Sequence, residues 1–528
     1  MSSWQCQLCT YVYNEEEESV NWDDLPDHWV CPVCGSPKSS FALVKPQKAP
    51  VTPKEPTKFF RFECGLCSFV FNEQREKRVW TALPDTWVCP VCGSGKEIFK
   101  RISEISEKRI KPKSNHVEIA SNYLSEWQRP SDDFESHMTD IHQMSVTGKT
   151  QIGPMRTQVA TISWDDILFV AAQLFKLPLN KSKPVQAKTV IGPSAKYPLV
   201  LETPLIVSHM SFGTLSKEAK IALAKGSAAV KTAMSSGEGG ILPESLDNAY
   251  KYIFEYVPNK YSATDKNFSL VDAVEIKIGQ SAKPGMGGHL PGHKVTREIA
   301  RIRGVREGKD IISPSSFPDI RNPEDLRQTV DSLRKKTNGK PIGIKFAAAH
   351  LEEDIKIAVS AGVDFITIDG RAGGTGSAPN VVKNSTSIPT VFALARARKI
   401  LDEIKADNVS LIITGGFRVS SDFAKALAMG ADAIALGTAM MMALGCQQYR
   451  LCDTGKCPVG IATQDPQLRA RLDVEQSAAR VANFFRVSTE EIKDFARLTG
   501  NDDVHLLNET DLCTTNTEIS NHTNIKHV

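Results

Sequence analysis

From Leu411 to Thr438 the chain reads LIITGGFRVSSDFAKALAMGADAIALGT, and this stretch constrains the fold more than any other. The runs LIITGG (411–416) and ADAIALGT (431–438) are short, apolar and closed by glycine. Between them Phe423, Ala426 and Leu427 recur at helical spacing. Strand, helix, strand makes a βαβ unit, and such units imply a parallel sheet. The alternation extends upstream. PLIVSHMSFGTLS, with a helix SKEAKIALAKGSAAV after it, is followed by KTAMSSGEGG, VEIKIGQSAKPGMGG, PIGIKFAA and VDFITIDGRAGGTGS, each a β-type run ending at glycine or a polar residue. An α/β fold is expected, a (β/α)8 TIM barrel over 201–500. In such barrels functional groups stand at strand ends, and a phosphate commonly rests on the loops after the last two strands. Gly415, Gly416, Gly437 and Thr438 suit that job, because glycine lets backbone N–H groups approach an anion.

Cys446, Cys452 and Cys457 follow at C-x5-C-x4-C, with Pro458 next. Three thiolates so spaced read either as ligands of an iron–sulfur cluster or as reduced core cysteines. Other candidates stand at strand ends. GEGG (237–240) sets Glu238 among glycines, as a ligand-facing carboxylate or as an exposed residue of a tight turn. The loop after Glu275 is dense in lysine, glycine and proline, so Lys277 and Lys283 face either an anionic ligand or solvent. Lys345 lies mid-strand among apolar neighbours, where an unpaired cation is costly, and it requires an anionic partner. Arg303, in a run of basic residues, reads as a surface group.

The first hundred residues are a duplication. Cys6-x2-Cys9 and Cys31-x2-Cys34 in the first copy (1–44) recur as Cys64-x2-Cys67 and Cys89-x2-Cys92 in the second (59–101), with LPDHWVCPVCGS and LPDTWVCPVCGS around the later pair. Two such knuckles make a tetrahedral thiolate site for zinc or a single iron. The proline- and lysine-rich 45–58 reads as an extended linker, and the basic, polar stretch after Phe99 as a second tether, so the two small domains are expected to move against the main body. Residues 102–200 form a lead-in with short helical pieces such as WDDILFVAAQLF. VEQSAARVANFFRVSTEEIKDFARLTG (474–500) reads as a long helix, and 501–528 as a polar, solvated tail. Asn508-Glu-Thr and Asn521-His-Thr in that tail match a glycosylation pattern without a secretory context.

With 64 basic and 61 acidic residues the charge is nearly balanced, and no basic stripe favours nucleic acid. The opening MSSWQCQLCTY lacks the order of a signal peptide, and no apolar run reaches the length of a membrane span. Twelve cysteines without an export signal argue for metal or redox use in a reducing compartment, so a cytoplasmic protein is expected.

Two resemblances organise these features. The aromatic residues Tyr11, Tyr13, Trp29 and Phe41, recurring as Phe69, Phe71, Trp87 and Phe99 around LPD-x-WVCPVCGS, resemble rubredoxin, an Fe(Cys)4 one-electron carrier. Only 21 residues separate the knuckles in each copy, so the loop usual there is shortened. From about His116 to Gly500 the chain resembles the flavin domain of glutamate synthase, most strongly at GEGG, the AKPG-x-GG-x-LPGHK loop, GGTG, TGGF and the three cysteines. This resemblance implies FMN contacted by Ser211, Lys277, Gln280 and Lys345, its phosphate at Gly415, Gly416, Gly437 and Thr438, and a [3Fe–4S] cluster on Cys446, Cys452 and Cys457. Glu238, Lys283 and Arg303 would face 2-oxoglutarate, with Lys283 on its carboxylate and Glu238 handling protons. Met286 and His289 depart from the family loop, and His289 stands where a glutamine helps to hold 2-oxoglutarate.

The implied activity is reductive amination of 2-oxoglutarate by ammonia, with glutamate as product. Electrons would come from an external reductase or ferredoxin through two mononuclear iron centres, zinc being the other metal. The chain opens MSSW, without that family's N-terminal nucleophilic cysteine, so ammonia is expected free or from a separate glutaminase subunit. No G-x-G-x-x-G fingerprint for a pyridine nucleotide occurs. The rival expectations are an N-methylglutamate synthase-like amine transfer and a non-catalytic redox relay or sensor.

Overall fold

A computed structural model describes residues 3–8, 11–14, 20–26, 28–43, 59–65, 70–76, 78–90, 94–105, 124, 127 and 129–528. Cys9, Cys67, Cys92, Phe69, the 45–58 linker and most of the second tether lie outside the described residues. The chain divides into two compact units, Met1–Leu43 with Lys149–Val528, and Val44–Gly148.

The main body is a closed barrel of eight parallel strands. They are β1 (Leu205–Val207), β2 (Ala233–Ser235), β3 (Lys251–Tyr256), β4 (Ala273–Lys277), β5 (Ile342–Ala347), β6 (Phe365–Asp369), β7 (Ser410–Thr414) and β8 (Ala433–Leu436). Nearly every strand residue is buried, which explains why the sequence shows continuous apolar runs rather than alternation. β3 escaped the sequence reading because KYIFEY runs on into VPNK and does not close on glycine.

Inside the barrel Ile206, Ala233, Ile253, Ala273, Phe365, Ile412 and Ala433 interdigitate. The hairpin of Thr189–Ile191 with Leu199–Leu201 adds Ile191, Leu199 and Leu201 to the same cluster. A Cβ at Gly343 would lie 2.2 Å from the Phe365 ring, so only glycine leaves room for that ring. Outside, Val474–Leu498, N-capped by Asp473, packs its Val481 against Lys217–Ala228, where a Cβ on Gly226 would come within 2.6 Å of it.

Two expectations fail. WDDILFVAAQLF is not helical: after the 3-10 turn Trp164–Asp166, Ile167–Phe169 is a strand paired antiparallel with Leu512–Thr514. Its β-type residues gain a ladder partner from the far end of the chain, which outweighs local helical spacing. For the same reason residues 501–528 are not a solvated tail. Val504, Leu507, Leu512, Ile519 and Ile525 are buried, and Lys526–His527 pairs parallel with Cys513–Thr514. Polar composition concealed a few well-placed apolar anchors.

Each small domain has a three-stranded antiparallel sheet, Ser3–Cys6 between Val12–Asn14 and Phe41–Leu43 in the first, Phe59–Cys64 between Val70–Asn72 and Phe99–Ile105 in the second. Trp22, 5% exposed, is the hub of the first core, stacked on Trp4 and packed on Tyr13, Trp29 and Phe41. Trp80 repeats this against Phe62, Phe71, Trp87 and Phe99. With so little chain to bury, aromatic area carries these cores.

Candidate functional site

The C-terminal ends of the barrel strands surround one cavity, lined by Ser211, Glu238, Lys277, Gln280, Lys283, His289, Arg303 and Lys345, by Gly415, Gly416, Gly437 and Thr438, and by Cys452. Every residue proposed from sequence for flavin or substrate therefore lines a single basin.

On one wall Lys277, the last residue of β4, donates to Glu238 Oε2 at 2.5 Å and to Gln280 Oε1 at 2.8 Å. Ser313 Oγ donates to Glu238 Oε1 at 2.9 Å. Burial disfavours the Glu238 carboxylate, but the charge and hydrogen bond of Lys277, with Lys283 and Ser313, prevail and hold it at about 2. Glu238 is thus an anion, not the exposed turn residue that was the alternative. Lys283, buried, donates weakly to Gly287 O at 3.4 Å, and burial pushes its ammonium below the ordinary lysine range.

Arg303 is not on the surface. Only 8% exposed, it lies 5.5 Å from the Tyr261 ring centroid and donates through Nη2 to Phe212 O at 2.6 Å. The helix Arg297–Arg303 turns its last side chain inward, a placement that a run of basic residues gives no way to read. His289 stays exposed on a short hairpin, 3.1 Å from Asp310.

Deeper in, Lys345 on β5 lies 3.9 Å from Glu255 and 4.0 Å from Asp369. These supply the anionic partners its mid-strand position demanded, at distances too long for hydrogen bonds. Glu255 belongs to the overlooked β3, and neither of its oxygens has a hydrogen-bond partner among the described residues. Asp369 accepts from Ser281 Oγ at 2.7 Å. Below them His209 pairs with Glu275, which also accepts from Thr367 at 2.5 Å. Lys220, fully buried, donates to the carbonyls of Met210, Ser235 and Ser236 at 2.9–3.0 Å, tying together the loops that carry Ser211 and Glu238. The only sequence signal for these buried acids was a charge inside an apolar run.

Across the cavity, Gly415 (φ +123°) and Gly416 (φ +90°) adopt backbone conformations open to glycine. A Cβ on Gly415 would stand 2.4 Å from Gly370 O. At Gly437 it would meet nothing closer than Ser208 Cβ at 4.0 Å.

Of the three later cysteines, Cys452 lines this basin, with its sulfur 3.9 Å from Met155 Sδ. Burial, and then the neighbouring Cys457 and Cys446 thiols, push it up to about 12. Lys294, buried beneath, donates to Cys452 O at 2.6 Å. Cys446 Sγ accepts from the side-chain amide of Gln448 at 3.2 Å.

In the first small domain Cys6, Cys31 and Cys34 place their sulfurs within 4.8 Å of one another, Cys6 and Cys34 being 3.7 Å apart. A tetrahedral metal with sulfur bonds of about 2.3 Å requires a sulfur–sulfur separation of about 3.8 Å. Cys64 and Cys89 of the second copy are likewise buried.

A family profile for the conserved region in glutamate synthase matches residues 137–502, and the rubredoxin profile matches 3–41 and 61–99. An archaeal glutamate synthase (NADPH) of Methanocaldococcus jannaschii is 42% identical over 324 residues, 61% of this chain and 63% of its own. An archaeal-type glutamate synthase (NADPH) of Thermotoga maritima is 42% identical over 313 residues, 59% and 61%. A glutamate synthase large subunit-like protein of Rhizobium meliloti is 35% identical over 406 residues, 73% and 92%. The alignments thus span just under two thirds of the first two relatives. Among the described residues no helix is long and apolar enough to cross a membrane.

Proposed function

The chain belongs to the glutamate synthase family and carries two rubredoxin domains, and on that premise we propose that it forms glutamate from 2-oxoglutarate and ammonia, using FMN and iron–sulfur centres fed by the rubredoxin domains. The observation that carries this reading is the convergence of Glu238, Lys277, Lys283 and Arg303 on one wall of a cavity whose other side is the glycine backbone of 415–416 and 437.

The residues present fit FMN. Among the described residues the nearest carboxylate oxygen to the buried Lys345 lies at 3.9 Å and both Glu255 oxygens lack a hydrogen-bond partner, while Gly437 leaves open a space that a side chain would enter. Ser211, Lys277, Gln280 and Lys345 would hold the ring system, and the backbone of Gly415, Gly416, Gly437 and Thr438 the phosphate. When bound, FMN supplies hydride transfer.

The protein's own groups do the rest. Lys283 and Arg303 bind the carboxylates of the oxo acid, and the Phe212 carbonyl fixes the Arg303 fork. Glu238, kept ionised by Lys277, accepts a hydrogen bond from an ammonium or iminium N–H and takes up the proton that ammonium sheds as it attacks the oxo carbon. Leu290 and Ile311, buried in the same wall, keep water from the carbon that is reduced. Cys446, Cys452 and Cys457, whose thiols influence one another electrostatically, would hold a [3Fe–4S] cluster. The cysteine quartets of the small domains would each hold one iron. Pyridine-nucleotide electrons would arrive from a separate reductase, and ammonia free or from a glutaminase subunit.

The test is anaerobic mixing. Reduced protein receives 2-oxoglutarate with ammonium while flavin absorbance and glutamate are followed. Prompt reoxidation with matching glutamate is expected, and a flavin that stays reduced overturns the reading. One observation favours a second reading: His289 is engaged with Asp310, and Met286 is exposed. That leaves the amine end open to a larger nucleophile, as in an N-methylglutamate synthase-like transfer from glutamate and methylamine, which would proceed without reductant.

A further inference from the structure

Arg471, just after the short helix Pro466–Arg469, joins two cysteine-bearing loops that are far apart in sequence. Its Nη1 donates to Pro458 O at 3.1 Å and also to Leu8 O, while Nη2 donates to Gln7 O. Pro458 directly follows Cys457. Gln7 and Leu8 are the two residues inside the Cys6–Cys9 knuckle, and the Leu8 carbonyl is bonded to the nitrogen of Cys9. One guanidinium nitrogen therefore stands between the peptide beside a ligand of the first metal site and the peptide beside a ligand of the cluster site. A planar fork of donors suits this task, since it takes two carbonyls on one side and a third on the other without distorting.

We propose that Arg471 seats the first rubredoxin domain on the Cys457–Pro458 loop and that its Nη1 bridges the path by which an electron passes from the first iron centre to the cluster. The inference rests on the reading of these cysteines as iron ligands. The step moves one electron. The ferrous Fe(Cys)4 centre becomes ferric, the cluster gains one negative charge, no bond forms or breaks, and an external low-potential one-electron donor restores the ferrous state. Electron tunnelling weakens steeply across gaps and is carried better by covalent and hydrogen-bonded links, so the continuous run from Cys6 along Gln7 and Leu8 to Leu8 O, across Nη1 to Pro458 O and along Pro458 to Cys457 favours this exit. Arg471 is exposed, and Leu8 beside it is 47% exposed. A contact made by one exposed side chain on carbonyl oxygens is strong enough to set an orientation and weak enough to release, as a carrier that must also meet its donor requires.

The test uses the full-length protein with Arg471→Ala and Arg471→Lys. A photo-reactive benzoylphenylalanine at position 7, which leaves the backbone carbonyl in place, is expected to cross-link to the peptide around 466–473. The yield should fall about tenfold in Arg471→Ala, the loss of hydrogen bonds to a charged group being worth about one decade. After rapid reduction with one electron equivalent of dithionite per chain, which leaves oxidised cluster to act as acceptor, reoxidation of the ferrous–thiolate centre should slow by about the same factor, and Arg471→Lys should be intermediate in both. An unchanged cross-link, or an unchanged transfer rate in Arg471→Ala, overturns the proposal. Failure of the synthase reading shows separately: flavin reduced directly by light, without the small domains, would then not reoxidise with oxo acid and ammonium even in the unaltered protein.

Discussion

Lys277 Nζ meets Glu238 Oε2 at 2.5 Å, so the last residue of β4 and the turn after β2 share one buried ion pair. Burial alone would push both groups toward neutrality. Each instead keeps the other charged, with Glu238 held down and Lys277 held up. This wall of the cavity therefore presents alternating charge, and a ligand that takes Lys277 for itself must leave Glu238 to another cation.

Glu238→Gln keeps shape and removes charge. Turnover should fall by about two to four orders of magnitude, the usual worth of a positioned proton-transfer group, with the flavin-to-protein ratio unchanged. A ratio that falls in step with activity would make Glu238 a structural residue only.

Lys283 predicts an alkaline limb. Its ammonium is disfavoured by burial, only partly offset by Glu238, so its folded value lies below the ordinary lysine value of 10.5. As pH rises through that lowered value the positive charge is lost, and with it the grip on the substrate carboxylate. KM for the oxo acid should climb before the ordinary lysine range is reached, and Lys283→Arg should move that climb to higher pH. A KM that is flat to pH 10.5 in the unaltered protein would remove Lys283 from the carboxylate.

Lys220→Met should cost about 3 kcal/mol or more, because three buried carbonyls lose their donors. Urea unfolding measures it. Burial also depresses Lys220 to about 7, against the pull of Glu255. Between that value and 10.5 the unfolded chain binds the proton better, so this residue's contribution to stability rises with pH across that window. The variant should lack that slope.

Gly415→Val places a β-branched residue at φ +123° with its Cβ 2.4 Å from Gly370 O. Flavin content after purification should fall sharply, whereas iron in the small domains stays. Equal loss of both would point to general unfolding.

Cys31→Ser removes one sulfur of the first quartet. About half of the ferric–thiolate absorbance should disappear, with one metal fewer per chain. Absence of that band from the unaltered protein would mean zinc, and the electron route through the small domains would fail.

The barrel was legible because fully buried parallel strands leave apolar runs and their loops leave glycines. Lys345 could be placed for the same reason, since a lysine among apolar neighbours announces a hidden partner. Its partners were harder to find. Glu255 sits on the strand that lacks the glycine signal, and Asp369 looks like the ordinary polar end of a strand. Arg303 was misjudged because composition reports charge and not the direction in which a helix turns its last side chain. Trp22 and Trp80 lie outside the knuckles that drew attention to the small domains, yet each centres a core. Pairing between Ile167–Phe169 and Leu512–Thr514 depends on a partner hundreds of residues away, which no local window contains.

That pairing buckles the two ends of the barrel region to each other. A body fastened in this way is finished before anything upstream is added, and modules placed ahead of it need not share its core. Small redox domains can be acquired, copied and varied there while the barrel stays shut. The repeated LPD-x-WVCPVCGS is what such freedom leaves behind in a sequence.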